Sequence, residues 1–253
     1  MKIYVQSSGV SEKHDYSWQG IDENQKRINE EPTLVTKFKS LIQVEAPSLL
    51  LARGENREIL LLVTGMQAKE RTAYRSRKIR NSVAWVGRQE DEPILRAIAV
   101  RILQSFRGED SLKEEIDRSV EPDTEEGFQV SFDVIEAREL AQSIEVENNP
   151  PNPKSKIGLS TDEENTNKLV EELQKCQLPK KTGALVVFTG IKSQSVLQDA
   201  GVWRGYCSLE DQKKMAGSVN ETDREGKKNT ILIVGLLVVL IVVLWFVFQP
   251  GKK

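Results

Sequence analysis

The chain has 253 residues, of which 29% are charged and 38% hydrophobic, with 36 Lys and Arg against 38 Asp and Glu. A formal net charge of -2 gives no bulk attraction to nucleic acid, so a nucleic-acid partner is not indicated. Two cysteines, Cys176 and Cys207, are too few for a disulfide framework and fit a reducing compartment, while the single histidine, His14, excludes HExxH and any multi-histidine metal site.

Lys2 to Gln6 reads as a strand that opens the fold, followed by a polar stretch, Ser7 to Glu31, that contains Tyr16 and Trp18. The N-terminal stretch has no apolar h-region, so no secretory signal peptide is expected. Pro32 then starts a segment to about Gln43 with Leu34, Phe38, Leu41 and Ile42 at helical spacing. Ser48 to Ala52 and Glu58 to Thr64 are apolar runs separated by Arg53-Gly54-Glu55-Asn56, the pattern of a β-hairpin. Ile79 to Val86 is the next strand, with Ile79, Val83 and Trp85 expected on one face.

A helix from about Asp91 to Phe106 carries acids and Pro93 at its start and an apolar side of Ile94, Leu95, Ile98, Ile102 and Leu103. Glu109 to Glu126 holds nine acids against Lys113 and Arg118, and reads as a solvated helix and loop without the spacing of an EF-hand. Phe128 to Val134 alternates as a strand, and Ile135 to Ile144 reads as helical. NNPPNPKSK at Asn148 to Lys156 has the composition of a linker. Thr161 to Gln177 is an amphipathic helix with acids in its first turn. Cys176 continues the spacing of Val170 and Leu173 and reads as a packed thiol. Leu185 to Thr189 is a continuous apolar strand, Ser193 to Asp199 a short helix, and Val202 to Cys207 a last extended segment.

Ile231 to Phe248, ILIVGLLVVLIVVLWFVF, is eighteen residues without a charged or polar side chain apart from the Trp245 indole. As a helix it spans roughly 27 Å, close to the ~30 Å core of a bilayer. Lys213, Lys214, Arg224, Lys227 and Lys228 precede it and only Lys252 and Lys253 follow, which places the N-terminal side in the cytosol. The expected organisation is a cytosolic α/β domain with a mixed sheet and helices, plus one C-terminal transmembrane helix. Residues 1–147 form the first part of that domain, 148–160 a linker or long loop and 161–210 its continuation. A flexible polar tether at 211–230, the membrane helix at 231–248 and a short tail at 249–253 complete the chain.

The sharpest polar feature is KERTAYRSRKIRN, Lys69 to Asn81, in which six basic residues face one acid, Glu70. It is expected to be a loop between two strands. Arg71, Arg75, Arg77, Lys78 and Arg80 are its candidate ligand-binding residues, because clustered guanidiniums offer paired N–H donors to phosphate or carboxylate. Its alternatives are a solvated loop, a segment paired with the acidic stretch, or a contact with anionic lipid headgroups. A second candidate is the pair of Thr-Gly corners in LLLVTGM and LVVFTGI. Thr64, Gly65, Thr189 and Gly190 close apolar strands, where small residues let a ligand approach backbone. Neither GxxxxGK[ST] nor GxGxxG is present, so no nucleotide cofactor is expected, and no metal.

The resulting expectation is a tail-anchored, single-pass protein whose domain binds, senses or scaffolds at the bilayer, with an anionic small molecule or acidic protein as partner. The competing classes are an enzyme acting on a nucleotide or phosphorylated substrate, and an effector that oligomerises through its span. Deleting residues 230–253 is expected to release a soluble, folded domain. Protease added to intact cells is expected to spare residues 1–210, and digestion of that part would reverse the orientation.

Overall fold

A strand buried on both faces reads as a near-continuous apolar run, and residues 49–52, 59–63 and 184–188 are such runs. Ser48–Arg53 (β4), Ile59–Thr72 (β5) and Gly183–Thr189 (β10) hold the centre of a nine-stranded mixed sheet. The computed structural model describes residues 1–72, without the Glu70 side chain, and 77–207. The expected tether, membrane helix and tail lie outside these residues, as does Arg75. Among the described residues no helix is long and apolar enough to cross a membrane.

The remaining strands are Lys2–Ser7 (β1), Ser17–Ile21 (β2), Arg27–Ile28 (β3), Lys78–Gly87 (β6), Lys156–Leu159 (β9) and Arg204–Tyr206 (β11). Their order is β3-β2-β1-β6-β5-β4-β10-β11-β9. Pairing is antiparallel from β3 to β10, and β11 and β9 run parallel beyond it. Val120–Pro122 (β7) and Phe128–Val130 (β8) form a separate two-stranded ribbon. Met1–Ser208 is one compact unit.

The two faces of the sheet differ in residue size, and this sets the layers. Leu49, Leu51, Leu61, Val63, Val83 and Trp85 face one side. There they pack against the helix Glu92–Phe106 (α2), which touches Leu112–Arg118 (α3), Ala137–Ala141 (α4) and Glu163–Lys175 (α5). Burying each large side chain of this kind stabilises by about 1.5–3 kcal/mol. Leu50, Leu60, Leu62, Ala52 and Ala84 face the other side, under the short helices Thr33–Phe38 (α1) and Gln194–Asp199 (α6). Alanines leave room there for a thin layer.

Three sequence expectations are corrected. The polar stretch Ser7 to Glu31 contains β2 and β3, because Ser17–Ile21 pairs residue by residue with β1 despite its half-exposed composition. The alternation of Phe128 to Val134 yields a strand only as far as Val130; beyond it Val134 N–H and Ile135 N–H donate to Ser131 O and Phe132 O in turns. Ile79 shares the strand spacing of Val83 and Trp85 but packs with Ala68, apart from the core cluster that holds those two.

A buried ionic network ties the layers together. Glu92 Oε2 accepts from Arg53 Nη2 and Gln89 Nε2, each at 3.0 Å, and Glu92 Oε1 accepts from Leu178 N–H at 2.6 Å. One turn on, Arg96 donates to Leu173 O at 2.7 Å, Cys176 O at 2.8 Å, Glu147 O at 2.9 Å and Asn148 Oδ1 at 2.9 Å. The segment 148–160 is held further along by Trp203 Nε1, which donates to Asn152 O at 2.8 Å, and by Arg204 Nη1, which donates to Lys154 O at 2.7 Å. Glu92→Ala leaves two buried guanidiniums without their carboxylate, and is expected to lower stability by about 3–5 kcal/mol in urea unfolding. A loss under 1 kcal/mol would show that the network is dispensable.

Candidate functional site

The basic segment is a hairpin, not the expected loop. β5 runs on to Thr72 and β6 starts at Lys78, with Met66 opposite Asn81, Gln67 opposite Arg80 and Thr72 opposite Lys78. Backbone groups that lack a ladder partner find side chains instead, Lys69 N–H at Asp117 and Arg80 N–H at Tyr16 Oη, so a charged composition does not prevent strand formation. β4 leaves β5 at Thr64 and β1 leaves β6 at Ser82. The distal half of the hairpin therefore continues past both neighbours with no third strand beside it among the described residues.

Irregular register aims its side chains. Between the pairs Gln67–Arg80 and Thr72–Lys78, β5 advances further than β6, and this bulge contains Lys69 and Arg71. Arg71 turns inward and is 8% exposed. Its guanidinium donates to Asn81 Oδ1 at 2.8 Å and to Ser7 Oγ at 3.3 Å, and Ser7 Oγ donates to Asn81 Oδ1 at 2.8 Å. Both partners are neutral. Burial pushes the Arg71 pKa below its ordinary value, and the Asp117 carboxylate opposes the shift from longer range.

Helix α3 closes this region. Asp117 Oδ2 accepts Lys69 N–H at 2.9 Å, Asp117 Oδ1 accepts from Asn81 Nδ2 at 3.5 Å, and Lys69 Nζ lies 3.2 Å from Glu114. Lys69, Arg71, Glu114, Asp117 and Arg118 line a cavity of about 420 Å³. Pairing of the basic segment with the acidic stretch, one of the alternatives read from sequence, thus occurs at Lys69.

Towards the turn the cations are exposed. Arg77 Nη2 lies 3.3 Å from Asp15 Oδ1, and its guanidinium stands 5.5 Å from the centre of the Tyr16 ring. The Tyr16 N–H and then Arg77 hold the Asp15 carboxyl below its usual value. Arg80 N–H donates to Tyr16 Oη at 3.0 Å, and Lys78 is exposed. An exposed ion pair such as Arg77–Asp15 is weak and leaves the guanidinium able to take another anion.

The two Thr-Gly corners lie on either side of Ser48, with both threonines buried and Gly190 exposed. Ser48 in β4 is the register partner of Thr64 on one side and of Thr189 on the other. Ser48 Oγ donates to Thr189 Oγ1 at 3.0 Å, Thr64 Oγ1 donates to Gln43 O at 2.6 Å, and all three residues are buried. Gly65 has φ +74 in a β-bulge, and a Cβ there would lie 2.1 Å from the Ala46 carbonyl. The glycine is thus required by the chain's own backbone. Among the described residues the Thr-Gly pair shares no hydrogen-bond partner with the basic cluster.

Sequence reasoning missed Ser7, Asn81, Asp117 and Arg118. Ser7 and Asn81 are ordinary polar residues whose roles arise from β1–β6 pairing. Asp117 carried one signal, the opposite sign of its segment. Among the described residues no group of three or more His, Cys, Asp and Glu is placed to hold a metal ion. No protein-family model, no curated protein and no solved structure matches this chain. Gly65→Ala is expected to lower stability by about 1–3 kcal/mol or more. Gly190→Ala, with open space around the new methyl, is expected to change it by about 0.5 kcal/mol or less, both read by thermal unfolding. Equal effects would contradict this distinction between the corners.

Proposed function

We propose that this chain is a binding module held at a membrane by the apolar run Ile231–Phe248. Its α/β domain lies on the cytosolic side and takes an anionic ligand or acidic partner with the distal half of the β5–β6 hairpin. The observation that carries this reading is that hairpin. It extends past its neighbouring strands with Lys69, Arg77 and Lys78 exposed, Arg80 half-buried and Arg71 buried. Charges on a rigid two-stranded element lose less conformational freedom on binding than charges on a loop.

A binding role is favoured over an enzyme by the chemistry beside Arg71. Its nearest hydroxyl, Ser7 Oγ, gives its proton to the Asn81 carboxamide oxygen, which is not a base able to activate a nucleophile. The nearest carboxylate, Asp117, is occupied by the Lys69 and Asn81 donors.

The test uses the full chain in nanodiscs of neutral phosphatidylcholine, titrated with a fluorescent poly-L-glutamate peptide. Wild type is expected to bind with an affinity that falls as salt rises. Arg77→Glu with Lys78→Glu is expected to weaken binding by about tenfold or more while leaving the unfolding midpoint close to wild type. Absence of binding at low salt, or unchanged binding by the double variant, would refute the reading.

A further inference from the structure

The deepest cation of the hairpin lacks an adjacent counterion. A guanidinium carries five N–H donors and cannot shed its proton near neutral pH. Arg71 is nearly buried, yet its hydrogen-bond acceptors are the neutral Ser7 hydroxyl and Asn81 carboxamide. Its neighbours in the cavity are already arranged in pairs: Lys69 Nζ lies by Glu114, and Asp117 accepts from the Lys69 backbone and from Asn81. Arg118, exposed on α3, stands at the same cavity and gives one N–H to the Glu114 carbonyl at 3.4 Å. The lining holds Lys69, Arg71 and Arg118 against Glu114 and Asp117, a surplus of one positive charge.

A buried cation without a counterion is costly, and an anion entering the cavity removes that cost. The volume of about 420 Å³ admits a phosphate or carboxylate group with a small body attached. Ser7 and Asn81 each take one N–H from the two terminal nitrogens of the Arg71 guanidinium, and its remaining N–H donors suit the oxygens of such a group.

We propose that the cavity between the β5 bulge and α3 is a binding site for a compact phosphate- or carboxylate-bearing molecule, with Arg71 as its buried anchor and Arg118 as its rim contact. This rests on the anion-binding reading above and gives it a second, inner site with a small ligand. Asp117 works against the bound anion, so it limits affinity and favours ligands that also bring a hydrogen-bond donor to its carboxylate. The ligand would join the hairpin to α3, because Arg71 and Arg118 belong to different elements.

The probe is inorganic phosphate, titrated calorimetrically into the full chain in neutral nanodiscs. Saturable binding is expected in wild type. Arg71→Lys, which keeps the charge and loses the fork, is expected to weaken it by about tenfold or more. Asp117→Asn, which keeps an acceptor for Lys69 N–H and removes the opposing charge, is expected to tighten it several-fold. A purely structural Asp117 would not produce that gain. If Arg71→Lys does not fold, Arg118→Ala decides the matter and is expected to weaken binding several-fold. Arg77→Glu with Lys78→Glu is expected to leave phosphate binding within about twofold, since the hairpin surface is a separate contact. No saturable phosphate binding, unchanged binding by Arg71→Lys and Arg118→Ala, or weaker binding by Asp117→Asn would overturn the inner site. Loss of phosphate binding only in Arg77→Glu with Lys78→Glu would overturn it too, but would leave the hairpin-surface reading in place.

Discussion

Glu92 and Arg96 lie one turn apart on α2, and together they tie it to the end of β4, the end of α5 and the segment at Glu147–Asn148. Glu92 reaches Arg53 at the end of β4 and the backbone at Leu178. Arg96 reaches the last carbonyls of α5 and the segment at Glu147–Asn148. Arg96 therefore also acts as a cation at the C-terminus of α5, where helix carbonyls lack internal partners. Buried ion pairs of this kind contribute little net stability compared with an apolar packing. What they impose is orientation: four acceptors converging on one fork admit one placement of α2 over the sheet. Arg204 repeats the arrangement on a smaller scale. It stacks 3.9 Å from the Trp203 ring centre and binds Glu172 of α5 with both ends of its fork.

With α2 placed, the polar face of the problem moves to the hairpin. β5 carries two register shifts, one at Thr64–Gly65 and one between Gln67 and Thr72. The first lets the chain pass the Ala46–Pro47 backbone. The second rotates Arg71 into the interior while Lys69 faces α3. Bulges re-aim side chains without ending the strand, which is how one hairpin holds both a buried cation and exposed ones. The sites these cations form are different in kind. One is a surface of separated charges at Arg77 and Lys78. The other is a small cavity lined by Arg71, whose guanidinium donates to the neutral Ser7 and Asn81 side chains.

The same dipeptide illustrates why a local pattern misleads. Thr64-Gly65 and Thr189-Gly190 look alike in sequence and lie on either side of Ser48, yet only Gly65 is required by a neighbouring backbone. Thr64 Oγ1 gives its proton to Gln43 O, whereas Thr189 Oγ1 accepts one from Ser48 Oγ. Similarly, the acidic stretch Glu109–Glu126 read as solvated, but Glu114 and Asp117 project onto the basic hairpin.

What the sequence determined by itself is everything that depends on near neighbours along the chain. The 3.6-residue period and acidic first turns of α2 and α5, the apolar run of β10, and the proline at the start of α1 were legible because each signal lies within one element. The unbroken apolar run Ile231–Phe248 is also a local signal, and it lies outside the described residues. The mixed α/β class followed from the alternation of such elements. The tertiary structure alone decided where the charges stand. The sequence marks Arg71 and Arg77 as two members of one basic run. Pairing of β5 with β6 and of β6 with β1 buries the first against Ser7 and Asn81 and leaves the second in solvent. Burial and partner choice arise between residues far apart in the chain, and a charge has no periodicity from which its partner can be read.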